Sequence, residues 1–328
     1  MPLNLSVAIG DYDRNRPLID RRVAIDGVEA VIMTLSPEEM FFRAMRQEAF
    51  DICELSLSSF TLQRARGDCP YVGVPAFLSR AFRHTSIIVR RGASIASPKD
   101  LEGRRVGVAE WQLTANVWAR ALLEDQGVDL HRIQWLRGGL DEPGRVEKIA
   151  LQLPPGIVLS DIGPQQTLNR MMLDGEIDAF IGPRPPSAFT AGHPGLHWLF
   201  ADPVAEARHY YQRTRIFPIM HLVGVRRSIV DAHPWLPVAV LKAFEQSKRL
   251  ALAELADTSA IKVMLPFFEE RLAEARALMG PDYWSYGVDP NRHVLEAFLD
   301  AHHRQGLSQR RLGVDELFHP STYDTVKI

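Results

Sequence analysis

Leu3-Asn4-Leu5-Ser6-Val7-Ala8-Ile9-Gly10-Asp11-Tyr12-Asp13-Arg14 alternates large apolar residues with small or polar ones, then stops at a glycine followed by carboxylates, a phenol and a guanidinium. Period-two alternation is the signature of a strand with one buried face, so 3–9 reads as a strand and 10–14 as the loop at its carboxyl end. In α/β folds that end is where ligands are met. Two distant stretches have the same character: Ser79-Arg80-Ala81-Phe82-Arg83-His84 and Thr214-Arg215-Ile216-Phe217-Pro218-Ile219-Met220-His221. Each adjoins an apolar run and supplies cations, a hydroxyl or an imidazole. Together they describe a site for an anion.

Outward from 3–9, the apolar run 30–33 leads into Ser36-Pro37-Glu38-Glu39. Serine caps, proline takes the first helical position and Glu39 closes a capping box, which predicts a helix over 37–47. Further strands are expected at 50–55, 86–90, 105–109, 133–136, 177–181 and 221–225. Ser97-Pro98-Lys99-Asp100 is a second helix start, and Gly127 and Gly175 terminate helices begun near Thr114 and Pro164. The alternation of strand and helix predicts an α/β fold with parallel strands. Beyond His221 long helices take over, at 234–255, 266–279 and 290–305, with Gly280 and Gly306 as stops. A chain of 328 residues suits two domains. The expected form is two-lobed: residues 1–91 with 216–328 as one lobe, 92–215 as the other, two chain crossovers, a helical C-terminal tail and a ligand cleft between lobes.

The composition, 46% apolar and 24% charged, is that of a globular protein, and a formal charge of −2 gives no overall pull toward nucleic acid. No apolar run reaches the ~18 residues of a membrane span, and Met1 to Val7 carries no export signal. Cys53 and Cys69 make no disulfide framework, and Cys53, inside a strand-like run, reads as a buried inert thiol. The cytoplasm is the expected compartment, with neither nucleic acid nor membrane as partner. Exposed faces of the tail helices leave a homo-oligomer open.

Several motifs together resemble the 4,5-dihydroxyphthalate decarboxylases over nearly the whole chain. They are Tyr12-Asp13-Arg14, Phe50-Asp51-Ile52-Cys53-Glu54-Leu55-Ser56, Ser79 to His84, Gly103-Arg104-Arg105-Val106-Gly107-Val108 with Thr114-Ala115-Asn116-Val117-Trp118, Ile216 to His221, and Tyr283-Trp284-Ser285-Tyr286-Gly287. That family is similar in fold to type II periplasmic solute-binding proteins, and Gly175-Glu176-Ile177-Asp178-Ala179 is shared with them. The resemblance implies non-oxidative loss of carbon dioxide from an aromatic dicarboxylate, 4,5-dihydroxyphthalate giving protocatechuate. A solute-binding protein for an aromatic or dicarboxylic acid, without catalysis, is the alternative. Kinship with thiamine-pathway pyrimidine synthases of the same fold is a third, against which the lack of a cysteine-rich iron site counts.

Such a decarboxylation needs a proton delivered to the ring carbon bearing the departing carboxylate, electron push from the para hydroxyl, and cations on the retained carboxylate. His84 and His221 are candidates for proton transfer because imidazole titrates near neutrality. Glu54 is a candidate base, or else the partner of an arginine. Arg14, Arg80 and Arg83 are candidate clamps, their guanidinium forks matching a carboxylate. If 79–84 is extended, Arg80 and Arg83 point to opposite faces; as a helical turn they share one. Ser56 and Ser58, alternating with leucines, would face the ligand. Thr114 begins a helix whose amides can receive an anion, and Trp118 either stacks on a ring or packs internally. Tyr12, Asp13, Arg184 in the rigid loop Pro183-Arg184-Pro185-Pro186, and Phe217 complete the expected substrate contacts.

There is no phosphate loop, no HExxH and no cysteine cluster, and His193-Pro194-Gly195-Leu196-His197 has metal spacing broken by proline and glycine. No organic cofactor is therefore expected. A divalent ion held by Glu54, Asp13 and substrate oxygens stays open.

Overall fold

A computed structural model describes residues 1–323. Among them the strands run β1 (Leu3–Ile9), β2 (Val28–Thr34), β3 (Ile52–Ser56), β4 (Tyr71–Arg80), β5 (Ile87–Arg90), β6 (Arg105–Val108), β7 (Gln134–Arg137), β8 (Leu159–Asp161), β9 (Ala179–Ile181), β10 (Leu196–Trp198) and β11 (Ile219–Arg226). The chain divides into two compact units. Unit 1 comprises 1–80, 219–296 and the stretch from Leu312 onward; unit 2 comprises 81–218 and 297–311. The first passage therefore falls after Arg80 rather than after Arg91, because β5 pairs with β9 and β10 and so belongs to the second sheet. Besides the two strand-linked passages, the helix Arg292–Arg304 carries its C-terminal part into unit 2.

Unit 1 is built on a sheet of order β2-β1-β3-β11-β4. β1 runs parallel to β2 and β3, while β11 runs antiparallel to β3 and β4. The all-parallel expectation fails there because β11 re-enters the sheet on the chain's return. Every residue of β3 is buried, so this central strand is covered on both faces. Unit 2 holds a sheet of order β10-β5-β9-β6-β7-β8, parallel from β9 to β8 and antiparallel at β5. Leu168, Met171, Met172, Ile177, Phe180 and Leu196 pack together in its core.

The helix Pro37–Gln47 starts where expected, with the Ser36 side chain accepting from the Glu39 amide, but Glu39 bonds to Arg43 and does not close the capping box. Ser97-Pro98-Lys99-Asp100 yields only a short 3-10 turn, Pro98–Leu101. Two elements escape sequence reading. Residues 57–59 do not continue β3: Ser56 ends the strand and caps the helix Leu57–Arg66, which is buried from Leu57 through Gln63. And Tyr71–Arg80 is a strand despite Pro75, because its pairing with β11 is interrupted there. Between His221↔Ser79 and Val223↔Val74 the register jumps, two residues of β11 spanning five of β4. A proline inside a strand is tolerated at such an irregularity.

Candidate active site

Glu54 sits fully buried on the central strand of unit 1. A lone carboxylate there would be costly, so it must be bonded from several sides. Its Oε2 accepts from the Gly10 amide at 3.0 Å, and its Oε1 accepts from Tyr12 Oη at 3.2 Å and His221 Nδ1 at 2.6 Å. The strands supply all of this. His221 pairs with Ser56 and Val223 with Glu54, so Glu54 and His221 are diagonal neighbours on one face of β3–β11. Gly10 and Tyr12 come from the loop directly after β1. Phe41 meets the imidazole edge-on, ring centroids 4.7 Å apart. With Nδ1 donating to Glu54, Nε2 is left as the nitrogen free to exchange a proton. Burial, then the Glu54 charge, raises the Tyr12 pKa well above that of a free phenol. Tyr12 therefore stays a donor.

Arg14 occupies the 3-10 turn Asp13–Asn15. Its guanidinium carbon lies over two rings, 4.3 Å from the centroid of Tyr12 and 4.4 Å from that of Trp284. Nε donates to the Leu78 carbonyl at 2.5 Å and Nη1 to Asp13 Oδ1 at 3.0 Å. Nη2 has no protein partner among the described residues, and the side chain is 17% exposed. The Leu78 carbonyl is available because of the break in β4–β11. Pro75 and Phe77 carbonyls in the same break accept from the Gly287 amide at 2.8 Å and the Trp284 indole at 2.9 Å.

The other expected residues are placed as follows. Arg80 is the last residue of β4, and its Nη2 donates to the Ser285 carbonyl at 2.7 Å and to Asn291 Oδ1. It is buried and ties 285–291 to the sheet, which is not the place of a ligand clamp. Ser56 caps a helix and Ser58 is fully buried in its first turn, so neither forms the expected ligand-facing hydroxyl row. Asp13 bonds Arg14.

In unit 2, His84 lies buried among rings, with centroids 5.3 Å from Phe200, 5.7 Å from Tyr210 and 6.4 Å from Phe82. Burial pulls its pKa down to about 4, and Nδ1 has no hydrogen-bond partner among the described residues. It is neutral at pH 7 and bonds to no carboxylate among the described residues, whereas His221 bonds to Glu54. Burial likewise lowers Arg83 to about 10, still protonated at neutrality. Phe217 stacks on Phe82, centroids 4.9 Å apart. Thr114 is the buried first residue of the helix Thr114–Asp125, and Trp118 in that helix packs on Phe298 at 5.5 Å, which is core packing rather than an open stacking face. Arg184 is exposed in the loop after β9.

Sequence reasoning missed three contributors: the Gly10 amide, Phe41 and Trp284. Trp284 lay within a quoted motif, but its contact with Arg14 joins positions far apart in the chain. Among the described residues no group of three or more His, Cys, Asp or Glu is arranged to hold a metal ion. Glu54 and Asp13 make the bonds given above. No helix among them is long and apolar enough to cross a membrane.

Two α/β units, each on its own sheet, with a helical C-terminal region define a type II periplasmic-binding-protein-like fold. The periplasmic aliphatic sulphonate binding protein SsuA from Escherichia coli superposes with a TM-score of 0.56 at 13% identity, covering 98% of this chain and 99% of that one. A family model described as NMT1/THI5 like matches residues 26–143. The chain belongs to the 4,5-dihydroxyphthalate decarboxylase family: it is 54% identical over 327 residues to the 4,5-dihydroxyphthalate decarboxylase of Comamonas testosteroni, covering 99% of both chains. A protein of the same description from Pseudomonas putida is 52% identical over 211 residues, 64% of this chain and 82% of its own length.

Proposed function

We propose that the protein is a carboxy-lyase that removes one carboxyl group from 4,5-dihydroxyphthalate without oxidation, giving protocatechuate and carbon dioxide. Family membership supports the substrate. The observation that carries the chemistry is the buried Glu54 bonded to His221 Nδ1, with Tyr12 linking that pair to Arg14.

The departing carboxylate lies para to a ring hydroxyl, whose electrons flow into the ring as His221 Nε2 delivers a proton to the carbon bearing that carboxylate. Glu54 steadies the imidazolium that makes the transfer. The carbon–carbon bond then breaks, its electron pair returns to the ring, and carbon dioxide leaves; His221 regains its proton from solvent. Arg14 Nη2 receives the retained carboxylate. Arg80 and His84 take no part in these steps.

Incubation with 4,5-dihydroxyphthalate, following carbon dioxide and protocatechuate, tests the reading. His221→Asn should lower turnover by about 10²- to 10⁴-fold while remaining folded; unchanged turnover removes His221 from the mechanism. Binding without product formation by the parent protein would make it a binding protein instead.

No organic cofactor enters this scheme, because acid, orienting base and anion clamp are all side chains. Activity should survive dialysis against a chelator, and a loss restored by a divalent cation would bring a metal into the reaction. Both cysteines are free and buried, in keeping with the reducing cytoplasm we assign to the protein; cell fractionation checks that assignment.

A further inference from the structure

Trp284 has no part in the chemistry above, yet it touches the anion-binding arginine and the strand break at once. An arginine side chain has much rotamer freedom to lose, so a guanidinium that must meet a carboxylate edge-on gains from being fixed beforehand. Arg14 has five N–H donors to place. One is spent on the Leu78 carbonyl and one on Asp13. The guanidinium carbon sits over the Tyr12 and Trp284 rings at nearly the same distance, 4.3 and 4.4 Å to the ring centroids. With rings on the guanidinium and Nε turned to the backbone, an anion has the outer Nη edge left to meet.

Trp284 is itself held. Its indole N–H donates to the Phe77 carbonyl at 2.9 Å, one of the carbonyls released where the pairing of β4 with β11 breaks. On either side of it the backbone is pinned by Arg80 Nη2 to the Ser285 carbonyl at 2.7 Å and by the Gly287 amide to the Pro75 carbonyl at 2.8 Å. The break in the sheet thus positions the indole, and the indole positions the guanidinium.

We propose that Trp284 is a positioning residue for substrate binding, its ring fixing the plane in which Arg14 meets the ring-borne carboxylate. The proposal rests on the reading of Arg14 as the carboxylate clamp. It separates two properties of one side chain: the aromatic face, which phenylalanine keeps, and the N–H, which phenylalanine lacks.

The test measures KM and kcat for 4,5-dihydroxyphthalate, and by calorimetry the Kd of phthalate, which lacks the hydroxyls that drive the reaction, in Trp284→Leu, Trp284→Phe, Arg14→Gln and the Trp284→Leu/Arg14→Gln double variant. Trp284→Leu should raise KM and Kd about tenfold, the span of a partly desolvated cation–π contact, with kcat within about twofold. Trp284→Phe should restore most of the loss. Adding Trp284→Leu to Arg14→Gln should cost nothing further. Unchanged KM and Kd in Trp284→Leu beside raised values in Arg14→Gln would overturn the proposal and leave the carboxylate clamp standing; unchanged values in Arg14→Gln would overturn both. If the leucine variant does not fold, Trp284→Phe decides alone: near-parental KM supports the role of the ring face, and a tenfold rise transfers the role to the bond with Phe77 and overturns it.

Discussion

Glu54 and His84 show how one kind of strand-end sequence produces opposite electrostatic outcomes. Glu54 is fully buried but bonded by an amide, a phenol and an imidazole, so its charge is compensated. His84 is buried among Phe82, Phe200 and Tyr210, and burial alone lowers its pKa from 6.5 to about 4. This has a consequence for stability. Below about 6.5 the unfolded chain binds a proton at this histidine that the folded chain refuses until about 4. The contribution is therefore whole above the upper value, is lost as pH falls through that window, and changes no further below it. His84→Phe keeps a ring in the cage and removes the titration, so its melting temperature should fall less steeply than the parent's between those values. Parallel profiles would show that His84 does not titrate as its surroundings dictate. What the sequence offered at this scale was residue type and proximity to a strand end, enough to mark Tyr12, Arg14, Glu54 and His221, whose side chains the fold brings into contact. It could not offer the partners each side chain finds, which is why His84 and Arg80 looked equivalent to them.

At the scale of elements, misreadings occurred where packing overrides local pattern. Leu55-Ser56-Leu57-Ser58-Ser59 alternates like a strand, yet Ser56 caps a helix whose residues are buried from Leu57 through Gln63. A helix buried this thoroughly need not show an amphipathic stripe. β4 was hidden by Pro75, whose presence the broken pairing with β11 accommodates. The same strand is also approached closely by the C-terminal stretch. Gly73 forms a parallel bridge with Phe318, its carbonyl accepts from the His319 amide at 3.1 Å, and a Cβ placed on it would stand 2.5 Å from the Leu317 carbonyl oxygen. That obstacle is backbone, so Gly73→Ala should push the stretch around 312–319 off β4. The expected result is a lower melting temperature with faster amide exchange at Leu317 to His319. Exchange at the parental rate would mean that the contact does not hold this stretch in place. By contrast 3–9 and 37–47 were legible, because alternation with one buried face and a serine–proline cap are properties of neighbouring residues.

At the scale of the molecule, each unit carries its own sheet and core, so heating should reveal two transitions where their stabilities differ. The passage after Arg80 was not legible because Ser79 to His84 reads as one motif, although it spans the end of β4 and the start of unit 2. Arg14, Glu54 and His221 all belong to unit 1. A ligand that binds only folded protein stabilises it by about 2.7 kcal/mol at a hundredfold excess over Kd. For a unit of this size that corresponds to a rise of about 5 to 10 °C in the transition it binds. Phthalate at such an excess should therefore raise at least one transition of the parent, and the same concentration should leave Arg14→Gln close to its unliganded profile. His221→Asn, which disturbs proton transfer and leaves the clamp in place, should retain most of the shift. Stabilisation of Arg14→Gln equal to the parent's would place the carboxylate on other cations and separate the site's binding from Arg14 altogether.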